Sequence, residues 1–396
     1  MPIPSPFHER TAPLCTSYAW KNWSGYCAVS AYTHAVEREY FAFRQSAGLL
    51  DITPLYKYDL RGPGAGPLLS WMTIKDAAQL KVGKVTYCCW CTEAGKVIDD
   101  GTIARLDGDH YRLTAAEPSL HWLDRLGARF DVRIEDTTQT VAALALQGPT
   151  SRDILRRVCD ADMDGLKYFR IVKARLEDAE VWISRTGYTG DLGYEIWMNN
   201  ADAIRVWDAL IHAGRDHGIE PAGLDALDIA RIEAGFIMLD VDYFSALKVV
   251  HARRMSTPHE IGLGAMIDLE RGPFVGRRAI REEVARGPEW SLVGLEVPWE
   301  ELEVLYDEYQ RAPSLPARAS RMALPIYDRN RQVGQVTSHT WSPILKKYIA
   351  LASLRPPYAL PGTPLRLEHT VEYERRTVKA IVRDRPFFNP KRKRTP

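Results

Sequence analysis

Two adjacent carboxylates stand at the centre of an otherwise apolar run, Gly95-Lys-Val-Ile-Asp-Asp-Gly-Thr-Ile-Ala-Arg-Leu106. Successive side chains on a strand point to opposite faces, so at least one of Asp99 and Asp100 is expected to face the interior. An interior carboxylate needs a partner, and partnered buried acids concentrate at functional sites. The alternative is a turn or bulge at Gly101 with both acids solvated. A second polar stretch is Ser184-Arg-Thr-Gly-Tyr-Thr-Gly-Asp-Leu-Gly-Tyr-Glu-Ile196. Its glycines 187, 190 and 193 permit close backbone approach, and Glu195 re-enters a strand between Tyr194 and Ile196. A plain Gly-rich hairpin with a surface glutamate is the competing reading. A third stretch, Thr337-Ser-His-Thr-Trp-Ser-Pro-Ile-Leu-Lys-Lys347, reads as a loop of polar donors ahead of an apolar strand.

Alternating strand-like and helix-like segments must position these groups. Residues 56–61 alternate as a strand, followed by Gly62-Pro-Gly-Ala-Gly-Pro67 and an apolar segment over 68–72. That glycine cluster lacks GxGxxG spacing, its prolines remove backbone donors, and no acidic partner follows, so a turn is favoured over a phosphate loop. Residues 85–92 and 97–106 read as a hairpin turning at Gly95. Strands are also expected at 111–114 and 141–146. Periodicity and breakers place helices around 117–127, 150–158, 201–217 and 222–234. The charge-rich stretch 281–288 reads as a linker. Short strands beyond it indicate a small C-terminal β-barrel or sandwich. The expected division is residues 1–285, two intertwined α+β domains, and 286–396, the barrel.

A chain of 396 residues, at roughly 150 per domain, should hold two or three domains. Its 52 basic and 51 acidic residues nearly cancel, which removes the overall electrostatic case for nucleic acid. No apolar run is long enough for a membrane helix, and the first residues lack an apolar signal core. A cytoplasmic, soluble protein is expected. Cys88, Cys89 and Cys91 crowd one strand, whereas Cys15, Cys27 and Cys159 offer no complementary pair. Buried reduced thiols are favoured over a metal or redox site.

Nine segments in one order carry a family likeness. They are Arg44–Ile52, Gly95–Asp100, Leu144–Pro149, Arg185–Gly190, Gly193–Ile196, Arg231–Gly235, Thr257–Leu263, Phe274–Arg277 and Thr337–Lys347. From about Phe41 onward the chain resembles the folate-dependent aminomethyltransferase family headed by the glycine cleavage T-protein. The resemblance implies a three-domain α+β fold around a central channel that holds tetrahydrofolate, with no metal and no flavin. It puts Asp100 beside the reactive folate nitrogens and Glu195 on the pterin ring. Tyr188 and Tyr111 would line the channel. Arg231 would join them, with a structural helix role as its alternative.

Departures from the T-protein pattern bear on the donor. A family asparagine falls on Ala115, a family arginine falls on Leu227, and the stretch 243–256 is additional. These changes point to the family's demethylase branches, which move methyl groups from small O-, N- or S-methyl compounds to N5 of tetrahydrofolate. Two alternatives stand beside that reading: aminomethyl transfer with a lipoyl carrier protein, and non-enzymatic folate binding. For an ether donor, Tyr243 would supply the leaving-group proton. Trp20, Trp23 and Tyr26 could pack a flat or cationic donor, and Arg253 and Arg254 could hold an anionic group.

Overall fold

Residues 1–395 are described by a computed structural model. The strand bearing Asp99 and Asp100, Val97–Asp107, is the second of five in an antiparallel sheet. Its order is Val85–Cys91, Val97–Asp107, His110–Ala115, Tyr56–Arg61 and Arg133–Asp136. The hairpin turns at Gly95, whose φ of +71° suits glycine. Register then sets Asp100 opposite Cys89 and Asp99 opposite Trp90. Helices Ala65–Met72 and Leu120–Gly127 cover one face of this sheet. Leu68, Leu69, Met72, Trp122 and Leu123 pack there on Tyr58, Leu60, Cys88, Trp90, Ile103, Tyr111 and Leu113. All six cysteines are free thiols, and Cys88, Cys89 and Cys91 are buried.

A second sheet of six strands runs in the order Ile171–Leu176, Ala179–Ser184, Gly193–Asn199, Val141–Gln147, Ala47–Asp51 and Ile219–Pro221. Only its last pairing is parallel. One apolar cluster joins this sheet to helices Ser151–Val158 and Ala203–Gly214. Another joins it to helices Val36–Gln45 and Leu224–Glu233. Every residue of Leu224–Glu233 except Asp225 is buried, so its charged side chains must find partners inside the protein.

Six strands beyond residue 290 close into a barrel in the order Ser291–Val297, Lys347–Leu354, Arg331–Ser342, Leu324–Asp328, Pro364–Val371 and Glu374–Arg383. The expected choice between barrel and sandwich thus resolves as a closed barrel, which leaves no sheet edge. Two expectations fail here. The charge-rich stretch 281–288 is mostly helix, Arg277–Arg286, because Ile280 and Glu283 are buried and Glu283 holds Thr257 and His259. The supposed loop at 337–347 begins inside the strand Arg331–Ser342, whose pairing shifts between Val336 and Ser338. Among the described residues no helix is long and apolar enough to cross a membrane.

The barrel also buries a polar cluster. His339 Nδ1 bonds with Tyr348 Oη at 2.6 Å, while its Nε2 is buried without a partner among the described residues. Tyr306 Oη and His369 Nε2 lie 3.2 Å apart nearby. Burial, with the His369 charge second, pushes His339 down to about 4. An unfolded histidine titrates near ~6.5, so the unfolded chain takes up this proton first as pH falls. Stability present above about pH 6.5 is therefore lost progressively towards pH 4, by about 2–3 kcal/mol for His339. Denaturant titrations across that window should show this slope in the native chain and a shallower one in His339→Asn. Equal slopes would place the acid sensitivity elsewhere.

Candidate active site

Asp100 is held by two tyrosines. Tyr87 Oη, from the neighbouring strand, donates to Oδ2 at 2.6 Å, and Tyr243 Oη donates to Oδ1. Asp99 is fully buried and works differently. Its Oδ2 accepts the N–H groups of Ala116 and Glu117 at 3.1 and 2.9 Å, and its Oδ1 accepts that of Asp100 at 2.8 Å. Tyr243 Oη also lies 3.5 Å from Asp99 Oδ1. Burial, then the charge of Asp100, pushes Asp99 well above the ordinary carboxylate range. Burial also raises Asp100, opposed by the hydroxyls of Tyr243 and Tyr87. Two acids this close share their protons as one system. Burial chiefly, reinforced by Asp100, keeps both tyrosines protonated and therefore donating.

The Gly-rich stretch is shaped by Gln147. A Cβ at Gly187 or Gly193 would lie 2.0 or 2.3 Å from the Gln147 side chain. That amide donates to the carbonyls of Thr186 and Tyr194, both at 3.2 Å, and accepts Thr189 Oγ1 at 2.9 Å. Tyr188 emerges from this support half-buried. Its ring stacks on Phe236, with centroids 5.5 Å apart and planes at 24°, and its hydroxyl donates to the Ile237 carbonyl. Asp100 lies within electrostatic reach of Tyr188, and Tyr188 within that of Tyr87. Glu195, half-buried on the strand Gly193–Asn199, accepts Thr186 Oγ1 at 2.6 Å. Burial raises its pKa, and the Thr186 and Ser184 hydroxyls oppose that rise.

Several expected residues lie elsewhere. Tyr111 faces the helix-packed core, on the sheet face opposite Asp100, because cross-strand register pairs it with Arg105. Its hydroxyl fits against Gly66, and the Arg105 guanidinium sits 5.2 Å from its ring. It is a core residue. Arg231 takes its structural alternative: it is fully buried, with Nε on Asp228 and Nη1 on Asp242, both at 2.8 Å. Its Nη2 remains buried without a partner among the described residues. Trp20, Trp23 and Tyr26 do not converge on one pocket. They share the hairpin Ala19–Trp23 and Tyr26–Ala31, but Trp20 packs on Cys15, Val29 and Tyr32, while Trp23 packs on the cluster holding Tyr40 and Phe43. Tyr26 is buried. Arg253 and Arg254 are exposed on a short turn, with Arg254 lying 5.3 Å from the Phe244 ring.

Other groups enter the site without having been anticipated. Tyr87 precedes Cys89 by two residues and so shares its face; the Cys89–Asp100 register was the signal that could have found it. Asp242 joins Arg231 to Thr337 Oγ1 and Ser338 Oγ, so the shifted strand of the barrel reaches the site. Arg385 donates to the Gly235 carbonyl at 2.9 Å, within electrostatic reach of Asp242 and Tyr87. Its position far along the chain gave no local signal.

Comparison with known proteins places this geometry. Residues 6–271 match the GCVT N-terminal domain and residues 314–389 the glycine cleavage T-protein C-terminal barrel domain. An aminomethyltransferase of Halothermothrix orenii is 33% identical over 364 residues, covering 90% of this chain and 92% of the relative. One from Streptomyces avermitilis is 34% identical over 333 residues, covering 82% of each. The crystal structure of glycine cleavage system aminomethyltransferase T from Bartonella henselae shares the fold. Its TM-score is 0.82 at 23% identity, with 98% of this chain and 99% of that one covered. With both domain families matched and relatives above 30% identity along most of its length, the chain belongs to the glycine cleavage T-protein family.

Proposed function

We propose that this chain transfers a one-carbon unit to a nitrogen of tetrahydrofolate, with Asp100 beside the reacting nitrogens and Glu195 on the pterin ring. The observation that carries the reading is the half-buried Asp100 carboxylate, fixed by Tyr87 and Tyr243 within electrostatic reach of Tyr188. The residues fit such a ligand. Glu195 is engaged by a single hydroxyl at 2.6 Å, and a carboxylate can accept two parallel N–H bonds besides. Tyr188 offers a flat ring to a flat heterocycle. Tetrahydrofolate supplies the nucleophilic nitrogen when bound.

The relatives named aminomethyltransferase favour an aminomethyl unit presented by a lipoyl carrier protein as the group transferred. In that reading two folate nitrogens bond the methylene carbon as its bonds to nitrogen and to sulfur break, so that ammonia and the carrier's free thiol leave with the two protons the nitrogens give up, and Asp100, with Tyr243 as its donor, relays a proton in that exchange. A second reading, methyl transfer from a small O-, N- or S-methylated compound, is favoured by one specific observation. The Tyr243 hydroxyl meets the Asp100 carboxylate, a pairing through which Tyr243 would give a proton to a leaving oxygen and take one from Asp100. Both readings need the donor carbon in line with the nitrogen and water kept away, which is a matter of positioning.

Incubation with tetrahydrofolate and either an aminomethyl-loaded lipoyl carrier or a panel of methylated compounds separates the two. Ammonia release with the carrier supports the first, and 5-methyltetrahydrofolate by mass spectrometry supports the second. Neither product with any donor would overturn the proposal. Asp100→Asn should lose turnover by about a hundredfold or more while its melting curve stays cooperative; near-native turnover at saturating folate would remove Asp100 from the chemistry. Glu195→Ala should weaken folate binding by calorimetry about tenfold to a hundredfold, the worth of a charge-assisted hydrogen bond. Tyr243→Phe should abolish turnover of methyl ethers preferentially, and equal losses with every donor would limit Tyr243 to holding Asp100.

A further inference from the structure

Beyond the last barrel strand, Glu374–Arg383, the chain folds back over the Gly-rich stretch. The N–H groups of Phe387 and Phe388 both donate to the Glu233 carbonyl at 2.9 Å. Arg392 then grips Asp191 with both arms of its fork, Nε to Oδ1 at 2.7 Å and Nη2 to Oδ2 at 2.8 Å. Its Nη2 also meets the Arg44 carbonyl at 3.2 Å. From below, the buried Arg185 donates to the carbonyls of Arg392 and Lys393 at 3.2 and 3.3 Å. Lys393 is only 6% exposed, and its ammonium lies 4.7 Å from the centre of the Phe236 ring and 5.8 Å from that of Tyr168.

Asp191 and Tyr188 belong to one glycine-rich turn, and Phe236 is the ring on which Tyr188 stacks. The returning segment therefore holds that turn directly at Asp191 and, through Phe236, behind Tyr188. A bidentate guanidinium–carboxylate pair fixes orientation as well as distance, and a desolvated ammonium on a ring face adds attraction that a solvated one lacks. The segment contributes little to any core of its own: its one regular element is the three-residue turn Lys391–Lys393. Its side-chain contacts include the turn that carries Tyr188 and the ring stacked on it.

We propose that Arg392 and Lys393 are positioning residues that set the Tyr188–Phe236 wall against which the pterin ring lies, an inference that rests on the folate reading above. Neither touches the reacting atoms. They act through the turn, so their loss should weaken folate binding and leave the donor's own contacts unchanged.

The full chain and its Lys393→Met, Lys393→Arg and Arg392→Ala variants would be titrated calorimetrically with 5-formyltetrahydrofolate, a folate that accepts no one-carbon unit at N5. Lys393→Met and Arg392→Ala should each raise its Kd about tenfold, with the KM of whichever donor the native chain turns over staying within about twofold. Lys393→Arg, which keeps the cation on the ring, should recover most of the native affinity. Thermal melts identify any variant that has simply unfolded; Lys393→Met, which keeps the apolar stem, guards against that outcome for Arg392→Ala. Native affinity in both loss variants would overturn the proposal, as would folate Kd and donor KM rising in parallel. If the native chain itself fails to bind 5-formyltetrahydrofolate, the folate reading falls first and this inference with it.

Discussion

Arg231 is a fully buried cation, and the meeting of the three domains depends on how it is neutralised. Asp228 takes its Nε and Asp242 its Nη1, both at 2.8 Å. Asp228 in turn holds Arg321 at 2.7 Å, and Asp242 holds Thr337 and Ser338 of the barrel. Desolvating three charges is costly, and such a network is tolerable only when each member is paired. Two residues further, the same helix repeats the device. Glu233 accepts Tyr40, Arg44 and Ser342, joining the six-stranded sheet's helices to the barrel. One helix, Leu224–Glu233, thereby fixes the approach of every other body to the site.

Given that frame, the paired carboxylates divide their labour by the alternation of a strand. Asp99 points towards the loop at Ala116 and Glu117 and clamps its backbone, while Asp100 points towards the tyrosines. The same acid chemistry is structural on one face and available on the other. The charge of Asp100 disfavours ionisation of Asp99, while the Asp100 carboxylate itself is held by hydroxyl donors from two different elements. The additional stretch 243–256 supplies one of them. Its base is sewn to the same strand, with Ala246 donating to the Val97 carbonyl and Val97 to that of Ser256.

Much of this was legible locally. An apolar strand interrupted by Asp-Asp, a Gly-rich turn leading to Glu195, and short strands near the chain's end are all nearest-neighbour signals, and each lies where its pattern placed it. Tyr111 was misplaced because a residue's face relative to Asp100 depends on the register of a partner strand, and a one-residue change of register reverses it. Arg231 carried a motif but no sign that two carboxylates would hold it, since Asp242 arrives through a turn after the helix. Trp20 and Trp23 look alike as aromatic residues, yet they stand three apart on one strand, so alternation sends them to opposite faces and different clusters. Arg385, Arg392 and Lys393 were silent for a plainer reason: a basic tail reads as solvated until the chain is seen to fold back.

The links that build the site join residues remote in sequence: 143 positions separate Tyr243 from Asp100, 95 separate Thr337 from Asp242, and 201 separate Arg392 from Asp191. Contacts of such high order form only after long loops have been closed, so they come late in folding. The residues of the proposed site come from two different sheets and from the segment after the barrel, so a chain with one of these undocked lacks part of the arrangement proposed for folate. Ligand therefore stabilises the finished assembly alone, by an amount set by its concentration relative to Kd. On the proposed reading, supply of the small molecule in a cell rich in it would act as quality control, drawing completed chains away from the partly assembled ones that proteases and aggregation remove.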